Sequence, residues 1–331
     1  MYIRDLGEFP LIARLTAGRG HSSAVLVGPG DDAAVVTSPE ARGTLLTCDA
    51  MVEGVHFLRV ADPFDVGYKL MTANISDIAA MGGTPLYALI TLVLPPDTKV
   101  QWVDLLYEGI STCADEHGVS VVGGDVSSGS SIVLNAALMG SIDPDRSLLR
   151  SAARPGDLVM VTGPLGAARV GLEIHTGALD ASGILAEQAL RRHHRPVPKV
   201  AEGKALAAIG CRAANDISDG LASEVWEIAQ ASGVAIIVDA ALVPVHPAVS
   251  LAASDPCGQL EYALYSGEEY ELVFTVDQSI FKRCGPSLEG FICIGTVREG
   301  QGAHLLRNGV SRPLGRGHVH FDSGDKTPDK E

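Results

Sequence analysis

One stretch of the chain, residues 62–85, constrains the fold more than any other, because it predicts a helix that is buried over most of its surface. Asp62 is suited to cap this helix, Pro63 to its first turn, and Gly82 with Gly83 to its end. Apolar residues cover most of the circumference between these limits. A helix of this kind lies inside a protein rather than on its surface. The sequence therefore predicts a fold built around this helix.

Asp77 is the exception on the predicted helix. The positions three and four residues away carry no basic side chain: they are Ala73, Asn74, Ala80 and Met81. Burial of a carboxylate without a partner costs several kcal/mol. Two interpretations stay open here. Asp77 lies near the surface or meets a distant arginine, or it belongs to a site to which positive charge is supplied from elsewhere.

Length and charge limit the class of protein. With 331 residues the chain is long enough for two domains. Its net charge of −15 argues against a nucleic-acid partner, which requires clustered Lys and Arg, and is compatible with carboxylates that bind divalent metals. The six cysteines form no C-x-x-C pair, which predicts reduced thiols and a cytoplasmic protein. No segment has the layout of a signal peptide or the length of a membrane span, so we expect no membrane partner.

Five further aspartates follow short apolar segments or lie in glycine-bearing turns. They are Asp32, Asp49, Asp125, Asp216 and Asp219. Each motif alone is common in structural turns. Together with Asp77 they predict a cluster of carboxylate oxygens, the ligand type that suits Mg²⁺ rather than zinc. The chain has no G-x-x-x-x-G-K-[ST] motif, no Rossmann glycine spacing and no G-x-S-x-G elbow.

The spacing of apolar residues predicts the remaining helices and strands. The predicted helices are 8–15, 100–117, 167–175, 188–194, 200–209 and one that Ser218 or Asp219 caps and that ends at Ala231. The predicted strands are 23–27, 33–37, 44–48, 86–94, 119–122, 132–142, 158–162, 234–238, 271–276 and 291–296. These limits place Asp49 at a strand end. The basic segment 191–196 is expected on a solvated face.

Turn-forming residues near 150–157 predict a boundary between two domains. We expect an N-terminal domain over 1–149 and a C-terminal domain over 150–321. The polar segment 322–331 has the composition of a disordered tail.

Several strings of the sequence resemble one known family. They are GDDAAVV (30–36), CDAMVEGVHF (48–57), NISDIAAMGGTP (74–85), GGD (123–125), DISDGL (216–221) and GEEYEL (267–272). The chain resembles thiamine-monophosphate kinase over residues 7 to about 300. The wider superfamily includes aminoimidazole ribonucleotide synthetase.

The resemblance implies an α+β, two-domain aminoimidazole ribonucleotide synthetase-like fold. Its N-terminal domain forms an intersubunit β-barrel in a homodimer, and its C-terminal α/β domain completes the active site. ATP as co-substrate and several Mg²⁺ ions would lie between the domains. The implied metal ligands are Asp32, Thr47, Cys48, Asp49, Asp77, Asp125, Asp216 and Asp219. The implied ATP contacts are Tyr107, Gly124, Asp125, Arg150 and Ser218, and the implied thiamine monophosphate contacts are His56 and Glu268.

The sequence departs from the family pattern at three places. Around 315–317 it lacks the aromatic residue that often stacks on the substrate. Cys48 stands where a threonine is usual, so it offers only its backbone carbonyl to Mg²⁺. Glu269 replaces the usual aspartate of the last string. Four assignments also have a structural alternative: His56 as a core histidine, Arg150 as an ion-pair partner at the domain boundary, Tyr107 as a core residue, and Glu268 as a turn cap.

The implied reaction passes the γ-phosphoryl group of ATP to the phosphate of thiamine monophosphate, which gives thiamine diphosphate and ADP. A phosphate monoester has a second pKa of about 6, so the acceptor oxygen is largely ionised near neutral pH and requires no general base. Repulsion between two polyanions is the obstacle, and metals held by carboxylates reduce it. The alternatives are an aminoimidazole ribonucleotide synthetase-like ATP-dependent ligase and a non-catalytic nucleotide-binding scaffold.

Overall fold

The computed structural model describes residues 25–27, 31–37, 43–284 and 288–315. The helix predicted over 8–15 and the polar tail 322–331 lie outside the described residues. In the described part of the chain, every helix is too short or too polar to span a lipid bilayer.

Helix α1, Pro63–Ala80, confirms the buried helix predicted from the sequence. Asp62 caps it by accepting a hydrogen bond from the Phe64 amide at 2.9 Å. Thirteen of its 18 residues are buried. The helix that contains Leu106 packs closely against α1 at Gly67. A Cβ atom at Gly67 would lie 2.1 Å from the Leu106 carbonyl oxygen, so this approach requires glycine. The helix is therefore enclosed on most sides.

The N-terminal domain contains a mixed sheet of six strands in the order β1-β2-β3-β6-β4-β5. The strands are β1 Val25–Val27, β2 Ala34–Thr37, β3 Gly43–Val52, β4 Thr84–Leu94, β5 Ser120–Ser128 and β6 Val133–Ile142. Helix α1 and helix α2, Val100–Glu116, pack with the buried face of this sheet in one apolar core. Exposed apolar side chains from β3 and β4 lie on the opposite face: Leu46, Tyr87 and Leu89.

The C-terminal domain contains a mixed sheet of seven strands in the order β13-β12-β9-β11-β7-β10-β8. The strands are β7 Leu158–Val161, β8 Ala214–Asp216, β9 Ala235–Asp239, β10 Leu272–Val276, β11 Ile292–Arg298, β12 Gly302–Arg307 and β13 Val310–Pro313. The helices are α3 Ala167–His175, α4 Ile184–His194, α5 Val200–Ile209, α6 Leu221–Ser232, α7 Pro256–Tyr265 and α8 Gln278–Cys284. Its largest apolar core forms where α6 and α7 pack on this sheet.

Helix α1 also joins the two domains. A Cβ atom at Gly203 of α5 would lie 2.0 Å from the carbonyl oxygen of Ala79, so only glycine permits this approach. The end of α1 that carries Asp77 therefore lies where the two domains meet.

The structure corrects four expectations. Asp49 lies inside β3 rather than at a strand end, because the strand continues to Val52. The strand predicted over 119–122, which was expected to be short and buried, is β5, a longer and mostly exposed edge strand. Helix α6 begins after Gly220 and has no side-chain cap from Ser218 or Asp219. The solvated face predicted for 191–196 is wrong for His193, which is 6% exposed.

Helices α7 and α8 and the hairpin β12–β13 were not predicted from the sequence. The two described sheets are open and mixed, and neither closes into a barrel within the described chain.

Candidate active site

Three carboxylates from separate elements meet where the domains join. Asp32 precedes β2, Asp77 lies in α1, and Asp216 ends β8. One oxygen of each lies within 4.8 Å of the others, which is close enough for a shared metal ion. The sequence predicted all three as ligands, although more than 40 positions separate each from the next.

Hydrogen bonds hold two of these carboxylates. Thr47 Oγ1 donates to Asp77 Oδ2, and Ser76 Oγ donates to Asp216 Oδ2 at 2.5 Å. Burial, followed by the negative charges of the neighbouring aspartates, raises the pKa of Asp77 well above its usual value. Burial and Asp32 do the same to the pKa of Asp216. The group therefore favours a ligand that carries positive charge.

Asp32 provides the test of whether this group suits a metal ion. Its Oδ2 is buried and has no hydrogen-bond partner among the described residues. A buried oxygen without a partner is costly unless a cation or another donor satisfies it. Since the donors are all hard carboxylate oxygens, the set fits Mg²⁺.

Asp49 belongs to the edge of the same group. Burial, and then the charges of Asp32 and Asp219, raise the pKa of Asp49 to about 6. The Asp49 amide donates to Asn74 Oδ1 at 3.0 Å, which ties β3 to α1. Cys48 lies on the other face of β3, where Asn135 Nδ2 is 2.9 Å from its sulfur. The Cys48 side chain therefore points away from the carboxylates. This agrees with the expectation that Cys48 can offer a metal only its backbone carbonyl.

Arg150 supplies positive charge beside the cluster. Its Nη2 donates to Asp32 Oδ1 at 2.6 Å and to Asn215 Oδ1 at 3.0 Å, and its Nη1 lies 2.9 Å from Glu227 Oε2. Burial opposes the charged guanidinium, but Asp32 and Glu227 outweigh it and raise the pKa of Arg150. Its backbone amide also donates to Asp31 Oδ1 at 2.7 Å. The structure thus confirms that Arg150 forms ion pairs at the domain boundary. Its implied contact with ATP stays a prediction.

The other predicted site residues lie around this group rather than in it. Asp125 is exposed on β5, in register with Thr91, and accepts a hydrogen bond from Ser127 Oγ at 3.1 Å. Gly124 permits close strand contact, since a Cβ atom there would lie 1.8 Å from the Ile90 carbonyl oxygen. The three-carboxylate group thus does not include Asp125.

Tyr107, Ser218 and Asp219 also lie outside that group. Tyr107 packs, partly buried, against the core of the N-terminal domain. The Ser218 carbonyl accepts a hydrogen bond from the Glu268 amide at 2.7 Å, and the Asp219 amide donates to Glu224 Oε1 at 3.0 Å.

One of the two implied substrate contacts, His56, lines a cavity, and the other, Glu268, contacts two residues of its lining. The cavity has a volume of about 130 Å³ and is lined by apolar side chains and by seven polar residues: His56, Asp65, Lys69, His175, Thr176, His193 and His194. His56 Nδ1 accepts a hydrogen bond from the Val52 amide at 3.0 Å, so its Nε2 carries the proton when the ring is neutral. Glu268 Oε2 lies 2.8 Å from Lys69 Nζ and 3.5 Å from His193 Nδ1.

Several residues that contact the predicted site residues or their partners were not predicted from the sequence. They are Lys69, His193, Asn215, Glu224 and Glu227. Lys69 carries a detectable signal, because a lysine on a helix predicted to be buried needs an anionic partner. Glu224 and Glu227 lie on α6, where acidic side chains near a helix start are ordinary, so their role depends on the tertiary fold.

Comparison with known proteins agrees with this fold. The N-terminal domain model of AIR synthase related proteins matches residues 30–142, and the corresponding C-terminal domain model matches residues 154–302. These matches, with the two sheets and the carboxylate group, define a two-domain protein of the AIR synthase related class. The chain belongs, within that class, to the thiamine-monophosphate kinase family.

Three relatives illustrate the family relationship. The chain is 37% identical to thiamine-monophosphate kinase of Bacillus subtilis over 89% of this chain and 92% of the relative. It is 34% identical to that of Escherichia coli over 95% of this chain and 98% of the relative. The chain is also 34% identical to the protein in the solved structure of AaThiL complexed with AMPPCP and TMP. The two structures superimpose with a TM-score of 0.86, and the match covers 97% of this chain and 99% of the AaThiL chain.

Proposed function

We propose that this protein phosphorylates thiamine monophosphate to thiamine diphosphate with ATP. Family membership supports the substrates, and the group of Asp32, Asp77 and Asp216 carries the argument for the chemistry. These carboxylates are costly to bury together without a cation. They are suited to a reaction that joins two polyanions with the help of divalent metals.

Mg²⁺ would be held by the carboxylates of Asp32, Asp49, Asp77 and Asp216. When bound, it neutralises phosphate charge and aligns the phosphoryl oxygens. Thr47 and Ser76 orient two of these carboxylates through hydrogen bonds, and Arg150 Nη2 donates to a third, Asp32.

More distant residues would complete the metal and ATP sites. Asp125, Asp219 and the Cys48 carbonyl are proposed as outer metal contacts. For ATP we propose Tyr107, Gly124, Asp125, Arg150 and Ser218. In the described conformation most of the Arg150 guanidinium is engaged by protein acceptors, so a contact with ATP would use its remaining hydrogen-bond donors.

The substrate residues lie on both sides of the domain contact. His56 Nε2 can donate to a phosphate oxygen because its Nδ1 already accepts the Val52 amide. Glu268 belongs to the C-terminal domain and contacts Lys69 of α1, which lines the same cavity as His56. Substrate would therefore bind only when the domains hold their described arrangement.

We also propose that the protein is a cytoplasmic homodimer, with a domain boundary near residue 150. The outward face of the first sheet supports the dimer. Leu89 is 50% exposed there, and the edge strand β5 exposes Val122 and Val126. Among the described residues nothing covers this apolar face and no strand pairs with the outer edge of β5, an arrangement suited to pair with a second copy, which would close the intersubunit barrel.

The test is direct. The purified protein is incubated with ATP, MgCl₂ and thiamine monophosphate, and the products are identified by mass spectrometry. Thiamine diphosphate and ADP are expected in equal amounts, and EDTA should abolish both. ADP with inorganic phosphate and no thiamine diphosphate would contradict the proposal.

A further inference from the structure

Lys69 is a buried cation to which the proposed function assigns no role of its own. It lies on α1, two helical turns before Asp77, and is 5% exposed. Its Nζ donates to Glu268 Oε2 at 2.8 Å and lies 3.3 Å from His193 Nδ1. A lysine is rarely buried unless it is paired, and here the partner comes from the opposite domain.

The third member of this contact, His193, is neutral. Burial, followed by the charge of Lys69, lowers the pKa of His193 to about 2. Its Nδ1 therefore accepts a hydrogen bond from the Lys69 ammonium group. Lys69 thus donates to both neighbours, and the positive charge of the contact stays on the lysine.

Glu268 is held at its backbone as well as at one oxygen of its side chain. Its φ of +59° lies in the left-handed region, which is uncommon for a residue other than glycine. Its amide donates to the Ser218 carbonyl at 2.7 Å. Among the described residues, Glu268 Oε1 accepts no hydrogen bond, while the side chain is 31% exposed. One oxygen is fixed, and the other is available to a ligand.

The cavity that Lys69 and His193 line is next to Glu268, since both residues contact the Glu268 carboxylate. Met51, Phe57 and Leu172 give it apolar walls, and its polar lining includes His56, Asp65 and the histidines at 175, 193 and 194. A flat heteroaromatic ring fits apolar walls of this kind, and an amino group on the ring can donate to a carboxylate at the margin.

We propose that Lys69 is a positioning residue that fixes Glu268 so that its free oxygen selects substrates with a ring amino group. This inference rests on the proposed function and adds the basis of specificity to it. Thiamine monophosphate carries such an amino group on its pyrimidine ring. An analogue in which a carbonyl oxygen replaces that group would place an acceptor against the Glu268 carboxylate. A site built to pair with a donor rejects a ligand that lacks it.

The experiment compares Lys69→Met with the wild type, using thiamine monophosphate and its carbonyl analogue as phosphate acceptors. Lys204→Met is the matched control, since Lys204 is exposed on α5. In Lys69→Met we expect KM for thiamine monophosphate to rise about 10-fold or more, with KM for ATP within about twofold of the wild type. The ratio of kcat/KM between the two acceptors should fall towards unity. Lys69→Arg, which keeps the charge, should retain most of this preference.

A purely structural role would lower the amount of folded protein without changing the preference. An unchanged ratio in folded Lys69→Met would therefore overturn the proposal. If circular dichroism shows that this variant does not fold, Glu268→Gln decides the matter: its amide can donate to the carbonyl analogue, so the preference should vanish or invert, and a retained preference would overturn the inference.

The activity of the wild-type protein distinguishes failure of this inference from failure of the proposed function. Activity without any preference would overturn the inference alone. Absence of activity on both acceptors would overturn the proposed function, and the inference with it.

Discussion

Arg150 Nη2 lies 2.6 Å from Asp32 Oδ1, and this ion pair joins the domain boundary to the carboxylate group. The Asp32 side chain is only 1% exposed, whereas that of Arg150 is 21% exposed. Because Asp32 Oδ2 has no described partner, the guanidinium and a bound metal would share one carboxylate between them. Arg150 thus stabilises the site before any cation is present.

Arg150→Gln should therefore destabilise the metal-free protein. Removal of one partner of a buried ion pair leaves the other charge uncompensated and costs about 3 kcal/mol. Urea unfolding in EDTA measures this loss, and MgCl₂ should recover part of it by compensating Asp32. Arg146→Gln is the control, because the Arg146–Asp143 pair lies on the surface and such pairs contribute about 0–1 kcal/mol. Equal losses of unfolding free energy in the two variants would show that the buried ion pair contributes no more to stability than the surface pair.

Asp77→Asn should separate stability from activity. The substitution removes one negative charge from a crowded group, so the metal-free protein should be at least as stable as the wild type. Thiamine monophosphate phosphorylation should fall about 100-fold or more, comparable to the loss of other groups that stabilise transition-state charge. Steady-state kinetics over a range of MgCl₂ measures it, with Asp104→Asn on the exposed face of α2 as control. Normal turnover by folded Asp77→Asn would exclude Asp77 from the metal site.

His56→Ala should weaken use of thiamine monophosphate far more than binding of ATP. The loss of one hydrogen bond to a charged group corresponds to about 10- to 150-fold in the affected binding step. Calorimetry with a non-hydrolysable ATP analogue and with thiamine monophosphate measures the two affinities separately. His304→Ala, on β12 of the C-terminal domain, is the control. If ATP affinity falls as far as substrate affinity, His56 maintains the architecture of the site instead.

Features that depend on local sequence were predictable. Helix α1 was confirmed because its cap, its proline and its glycine end lie within the same short stretch. Helix α7 was missed although Asp255 and Pro256 carry a comparable start signal. Asp49 was predicted at a strand end, but β3 continues beyond it to Val52. Every second side chain in this part of the strand is exposed, so the sequence there lacks the continuous apolar run of a buried strand.

Contacts between distant residues were not predictable from patterns. Arg150 and Asp32 are 118 positions apart, and Lys69 and Glu268 are 199 positions apart. Only the tertiary fold selects such partners from many charged residues. The family resemblance supplied Asp32, Asp77 and Asp216 together, and it gave no indication of Lys69 or Glu227.

Leu89→Lys should convert the proposed dimer into monomers. Leu89 lies on the outward face of β4, and a charge there would be buried against a second copy at a cost that the interface cannot offset. Analytical ultracentrifugation measures the mass in solution. Val60→Lys places the same charge at a position that is 84% exposed in the loop before α1 and should leave the mass unchanged. A wild-type protein that sediments as a monomer would contradict the dimer proposal.

Glu269→Gln should remove a pH dependence of stability. Glu269 Oε1 accepts hydrogen bonds from the Gly166 and Ala168 amides and from Ser266 Oγ, while Oε2 is buried without a described partner. Burial raises the pKa of Glu269 to about 7, despite these donors. The unfolded chain has its ordinary value of 4.5, so between these two values the folded state binds a proton that the unfolded state does not.

The sign of the effect follows from this difference in bound protons. The contribution to stability is fully present below pH 4.5 and is lost as the pH rises through about 7. One pKa unit corresponds to about 1.4 kcal/mol, so the loss is on the order of 3 kcal/mol. Urea unfolding in EDTA at several pH values should show this decline in the wild type and in the exposed control Glu261→Gln, and a shallower decline in Glu269→Gln. The difference between the curves isolates Glu269 from the metal-site aspartates, and identical curves for all three proteins would show that Glu269 is ionised in the folded state as it is in the unfolded chain.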